Sequence, residues 1–175
     1  MSTQQDIVIQ WNRLQQTGFH TMLSQQAEAN GLPVAFLFAV ASRETNCVNE
    51  LGDMQPDGAH GVGILQIDVQ HPIARQARDN GSWRTNPAPL VAFAAQMLAQ
   101  NLRQAQQTFP TLSADQQLKI AASGYNCGMS NAIAGQHGGD CDRQTTGRNY
   151  GADVMTRKVL FDELLAQPAA TAAGA

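Results

Sequence analysis

Val34-Ala35-Phe36-Leu37-Phe38-Ala39-Val40-Ala41 is the longest uninterrupted apolar run in the chain. It is far too short to cross a bilayer. Pro33 suits the first turn of a helix, and the run reads as a buried helix that continues through Ser42-Arg43-Glu44-Thr45. Val40 and Leu37 stand four and seven positions before Glu44, a spacing that shares one helical face. The Glu44 carboxyl therefore falls on the apolar stripe. A carboxylate buried without a partner is costly, so such a group tends to keep its proton and its pKa rises. A carboxylic acid still protonated near neutrality is what general acid catalysis requires. The competing reading is a helix-end glutamate turned back to water or paired with Arg43.

The length of 175 residues suggests a single domain, over residues 1–167, with a flexible low-complexity tail over 168–175. The 43% hydrophobic fraction is enough for a core. A net charge of −3 and the lack of a basic stripe argue against a nucleic-acid partner and against strong attraction to anionic membranes. No membrane insertion is expected. Met1-Ser2-Thr3-Gln4-Gln5-Asp6 lacks the features of a signal peptide, so export by the common route is not expected. The three cysteines, Cys47, Cys127 and Cys141, form no CxxC pair, which argues against a zinc site. One internal disulfide (Cys127 with Cys141, or either with Cys47) and three unpaired buried thiols both remain open.

The chain reads as mainly helical. One segment covers about 7–29 and ends at Asn30-Gly31. The helix bearing Glu44 follows. Residues 46–63, with five glycines or prolines and few large apolar groups, read as a loop. Ile64-Leu65-Gln66-Ile67 reads as a short β-like run. Further helices are predicted over 89–108, after the Ser113-Ala114-Asp115-Gln116 capping box, and over 149–166, with 135–139 as a turn.

Asp57 and Asp68 follow Glu44 by 13 and 24 residues in and beyond this glycine-rich loop. Glycines allow the loop to fold closely over the helix end. One protonated acid facing one or two ionised carboxylates is the equipment for cleaving a glycosidic bond. Taken alone, each aspartate also reads as an ordinary turn residue bonding its own backbone.

Four blocks then occur in order: Ala41-Ser42-Arg43-Glu44-Thr45, Gly61-Val62-Gly63-Ile64-Leu65-Gln66-Ile67-Asp68, Ala122-Ser123-Gly124-Tyr125-Asn126-Cys127-Gly128, and Thr145-Thr146-Gly147-Arg148-Asn149-Tyr150-Gly151-Ala152-Asp153-Val154. Together they resemble the goose-type lysozymes (glycoside hydrolase family 23) and, more distantly, the soluble lytic transglycosylases. The resemblance covers roughly residues 30–165. It implies a mainly α, lysozyme-like α+β fold with a very small β element beside the cleft. It implies Glu44 as catalytic acid and Asp57 and Asp68 as the acids that hold and activate water. It also implies Gln66, Ile67, His71, Tyr125, Asn126 and Tyr150 as substrate-binding residues, with no metal and no organic cofactor. His71 departs from the family spacing by one residue, Gly-Ile-Leu-Gln replaces the commoner Gly-Leu-Met-Gln, and Cys127 replaces the usual alanine.

The resemblance implies a muramidase acting on the β-1,4 bond between N-acetylmuramic acid and N-acetylglucosamine of peptidoglycan. Because both aspartates are present, hydrolysis with inversion is expected over the transglycosylase outcome. A catalytically dead wall-binding domain is the alternative of a different class. With peptidoglycan outside the membrane and no visible signal peptide, the expected routes are injection into a rival's periplasm as a type VI secretion effector or release as a phage endolysin. The first carries a further expectation, a periplasmic immunity protein that plugs the cleft. The enzyme itself is expected to be a monomer.

Overall fold

The computed structural model describes residues 3–167. The predicted 168–175 tail lies outside them. Its centre is helix α3, Val34–Thr45. Phe36, Leu37, Phe38, Ala39, Val40 and Ala41 are all fully buried, as an all-round apolar helix must be. Each large side chain among them contributes about 2 kcal/mol by leaving water. Phe38 holds the centre together: its ring lies 5.9 Å from Trp11, 5.1 Å from His20 and 5.7 Å from Phe161. These rings belong to helices α1 (Gln4–Thr17), α2 (Phe19–Ala29) and α9 (Tyr150–Leu165).

The predicted single helix over 7–29 is in fact two. Gly18 adopts φ 77°, a left-handed conformation that closes α1 and turns the chain into α2. Thr3 and Asp6 form a reciprocal capping box at the start of α1.

The segment read as a loop contains a β-hairpin instead. Strand β1 (Leu51–Gln55) pairs antiparallel with β2 (Gly58–Val62), and β2 pairs with β3 (Ile67–Asp68). Leu51 faces Val62, and Gly61 faces Asp68. The β-like run at 64–67 shrinks to Ile67–Asp68, because residues 64–66 turn before the third strand. Gln66 makes that turn at φ 48°. Its side chain folds back over the hairpin, where a Cβ on either Gly52 or Gly61 would lie 2.1 Å from Gln66 Oε1. Two of the glycines that suggested a loop, Gly52 and Gly61, leave the room this side chain occupies.

Helices α4 (Pro72–Asn80) and α5 (Ser82–Thr85) lead to the long α6 (Ala88–Thr108), then α7 (Ala114–Cys127) and α8 (Met129–His137). Helix α4 was not predicted, although Pro72 occupies its first turn. The capping box of Ser113 with Gln116 is present. The predicted turn at 135–139 begins later, because α8 runs through Gly135 to His137. Cys47, Cys127 and Cys141 are all free thiols, with Cys47 and Cys141 buried.

Helix α9 crosses α3 through a buried polar seam. Arg157 Nε donates to Asp153 Oδ2 at 2.9 Å, and its Nη1 donates to the Ser42 carbonyl at 3.0 Å and to Ser42 Oγ at 2.7 Å. Arg43 Nε lies 3.2 Å from the same Asp153 oxygen. With two cations around it, the Asp153 carboxylate is a paired buried charge rather than an orphan. The seam fixes the rotation of α3 against α9, and with it the direction in which Glu44 points.

Candidate active site

Glu44 sits in the last turn of α3, just before Asn46 ends the helix at φ 52°. A helix C-terminus disfavours negative charge, and so does the loss of water around the carboxyl group. Burial raises the Glu44 pKa from 4.5 to about 7, against opposing pulls from the Tyr150 hydrogen bond and the Arg43 charge. Its Oε1 accepts a short hydrogen bond from the Tyr150 hydroxyl. Arg43 also stands over the Tyr150 ring, 5.4 Å from its centroid. Tyr150 is itself buried, and its phenol pKa is raised by burial and by the Glu44 charge. It therefore donates to Glu44 across the whole working pH range.

The carboxyl opens onto a cavity of about 170 Å³ lined by Gln66, Ile67, Asp68, His71, Met97, Tyr125 and Asn126. The turn after β2 and strand β3 supply Gln66, Ile67 and Asp68 on one side. Tyr125 and Asn126, from the last turn of α7, form another side. Tyr125 Oη donates to the Leu65 carbonyl at 2.8 Å, which ties α7 to the turn before β3. Asn126 Oδ1 accepts the Thr146 amide at 2.8 Å, which ties it to the loop before α9. Gln66 Nε2 donates to the carbonyls of Gly63 at 2.8 Å and Glu50 at 3.2 Å. Asp68 is exposed at the cavity rim, where Oδ1 accepts the Gln70 amide at 2.6 Å.

His71 precedes α4 and stacks edge-on with Phe93, with 5.1 Å between ring centroids. It also belongs to a neighbouring groove of about 450 Å³ that shares Met97 with the first cavity. That groove runs along α6 past Gln96, Gln100 and Gln104, which repeat every four residues on one helical face. The cavity beside Glu44 is mainly polar, and the adjoining groove along α6 is mainly apolar.

Of the residues singled out in the sequence, Glu44, Gln66, Ile67, Asp68, His71, Tyr125 and Asn126 meet at the cavity, and Tyr150 supports Glu44 from behind. Asp57 does not join them. It lies in the turn between β1 and β2, exposed to solvent, with Oδ1 2.8 Å from His60 Nε2. The His60 hydrogen bond holds its pKa below the ordinary value. Met97 was missed: a methionine on an apolar helix face carries no signal that distinguishes a cleft wall from core. Asp142 was missed as well, and its contacts run to the start of α9.

Protonation of a leaving oxygen by Glu44, with the Asp68 carboxyl group in the lining of the same cavity, is the chemistry this arrangement can perform. The cavity needs no metal for it.

The family model for lysozyme g matches residues 10–163. The chain is 27% identical over 147 residues to lysozyme g of Takifugu rubripes, covering 83% of this chain and 74% of that one. It is 26% identical over 145 residues to lysozyme g of Gallus gallus, covering 83% and 64%. Against lysozyme g of Epinephelus coioides the identity is 30% over 133 residues, covering 73% and 66%. The match extends over the core helix, the hairpin and both tyrosine-bearing helices, and the chain belongs to the lysozyme g family.

Proposed function

We propose that this glycoside hydrolase cleaves the β-1,4 bond between N-acetylmuramic acid and N-acetylglucosamine in peptidoglycan, with Glu44 as the general acid. The observation that carries the reading is a glutamic acid with its pKa raised to about 7 in the wall of a polar cleft. Asp68 lines the same cavity and takes the part of the base that activates water, giving inversion at the anomeric carbon. Asp57, engaged by His60 outside the cavity, contributes less to the rate. Product analysis tests the reading. Purified protein acting on peptidoglycan is expected to release reducing muramic ends.

A lytic transglycosylase outcome needs one catalytic acid only, since the substrate's own hydroxyl closes a 1,6-anhydro ring. The placement of Asp57 outside the cavity is the observation that favours it. A product dominated by anhydro-muropeptides would establish that outcome.

Peptidoglycan lies outside the cytoplasmic membrane, so on this reading the protein acts as an antibacterial effector in the periplasm of a target cell. A cognate inhibitor would silence it by covering the cleft at Glu44. Expression directed to the periplasm of a host bacterium is expected to lyse it, and expression confined to the cytoplasm is not. Equal toxicity in both compartments would remove this part of the reading.

A further inference from the structure

Asp142 is a buried carboxylate outside the cleft, 1% exposed, in the loop between α8 and α9. Its Oδ1 accepts the Gly151 amide at 2.7 Å and the Ser123 hydroxyl at 2.9 Å, and its Oδ2 accepts the Ala152 amide at 2.9 Å. Lys119 Nζ lies 3.5 Å from Oδ2. The Thr145 hydroxyl donates to the Asp142 carbonyl at 2.9 Å and accepts the Tyr150 amide at 3.2 Å. The first amides of a helix have no partner within it. Here Asp142 and Thr145 take those of Tyr150, Gly151 and Ala152, while Asn149 at the usual capping position makes no side-chain cap. The carboxylate also faces the positive end of the α9 dipole. Burial alone would raise its pKa, but the amide, Ser123 and Lys119 contacts outweigh that and hold it below the ordinary carboxylate value.

We infer that Asp142 is a positioning residue for the proposed reaction: it anchors the first turn of α9 against α7 and so holds the Tyr150 hydroxyl on Glu44. This rests on Glu44 being the acid. Tyr150 immediately precedes the two amides that Asp142 binds. The packing leaves no slack, since a Cβ on Gly151 would lie 2.4 Å from Ser123 Oγ and 2.7 Å from the Lys119 carbonyl. The groups that face Glu44 are Arg43 on its own helix, Tyr125 on α7, Tyr150 on α9, and Asp68 and His71 across the cavity. Of these, Tyr150 is the one whose backbone is tied to the Asp142 loop. Asp140, Cys141 and Asp142 also bring three ligand-type atoms within 4.8 Å. Both Asp142 oxygens already accept hydrogen bonds and Lys119 stands beside them, so the cluster caps a helix rather than holding a cation.

The test compares Asp142→Asn, Tyr150→Phe and the double variant by ¹³C titration of the Glu44 carboxyl in the resting protein and by pH–rate profiles. Asp142→Asn keeps the shape but turns an amide NH₂ toward one backbone donor. It is expected to move the Glu44 midpoint upward, in the same direction as Tyr150→Phe, and to lower turnover about tenfold, the lower end of what one charge-assisted hydrogen bond contributes. The double variant is expected to titrate like Tyr150→Phe alone. A folded Asp142→Asn with an unmoved Glu44 midpoint overturns the proposal even if activity falls, and so do fully additive shifts. Where Asp142→Asn fails to fold, Ser123→Ala decides: a smaller upward shift supports the proposal, and an unmoved midpoint overturns it. The titration needs no substrate, so its outcome stands apart from the functional reading, which fails instead if Glu44→Gln retains full activity.

Discussion

The Tyr150 hydroxyl donates to Glu44 Oε1 across 106 residues of chain. This one hydrogen bond joins the C-terminal turn of α3 to the first turn of α9. Its chemical meaning is directional. It stabilises the carboxylate that Glu44 becomes after giving up its proton, and so opposes the effect of burial on the resting acid.

Replacing Tyr150 with phenylalanine therefore has two expected effects. The basic limb of the pH–rate profile moves to higher pH, because the resting acid holds its proton more tightly. The turnover number falls about 10- to 100-fold, because a charge-assisted hydrogen bond worth about 1.5–3 kcal/mol is missing when the carboxylate forms. Rate measurements between pH 5 and 9 check both. A basic limb moved to lower pH would contradict the assignment.

Glu44→Gln is expected to lower turnover by about 10²- to 10⁴-fold, the usual contribution of a positioned acid. It should also change stability in a pH-dependent way. Between 4.5 and about 7 the unfolded chain ionises at Glu44 while the folded chain keeps the proton. The native state binds more protons there, so its stability falls as pH rises through that window. The glutamine variant lacks this loss. Its thermal midpoint is expected to exceed that of the parent above pH 7, with the gain shrinking as pH falls toward 4.5.

The two aspartates should separate. Asp68→Asn, at the cavity rim, is expected to reduce hydrolysis by about 10²- to 10⁴-fold, as for loss of a general base. Asp57→Asn, at a hairpin turn paired with His60, is expected to cost less than about tenfold. Reducing-sugar release from peptidoglycan measures both, and a larger loss at Asp57 would place the hairpin turn within the working site.

Gly151→Ala tests the α7–α9 contact on its own. The added Cβ would meet the Lys119 carbonyl at 2.7 Å and Ser123 Oγ at 2.4 Å. A backbone carbonyl cannot swing away, so the overpacking is expected to destabilise the fold by about 1–3 kcal/mol. Urea denaturation checks the value, and an unchanged midpoint would show that the contact can relax.

The parts of this site that were legible in the sequence are those written in short-range patterns. The apolar run around Phe36 and Phe38 announced the central helix. Its register put Glu44 on the apolar face, and the Ser113–Gln116 capping box marked the start of α7. The hairpin was not legible, because β1 and β2 are rich in glycine and polar residues and lack the branched apolar alternation of a half-buried strand. Gly52 and Gly61 make sense only once Gln66, which lies beyond the hairpin, is seen folded over them. The break at Gly18 was hidden within a continuous helical pattern. Pro72 did carry a signal for α4, as a first-turn proline, but the mainly polar residues that follow it lack the long apolar stripe that would mark a helix. Asp142 could not be found by a capping search, because it caps α9 from nine positions before Gly151 rather than from the adjoining residue.

The most direct test is the titration of the Glu44 side-chain carboxyl, followed by ¹³C chemical shift in the folded, substrate-free protein. A midpoint at about 7 is expected. A midpoint near 4.5, the ordinary value for a glutamate, would mean that Glu44 is ionised at neutral pH and would contradict its role as the proton donor.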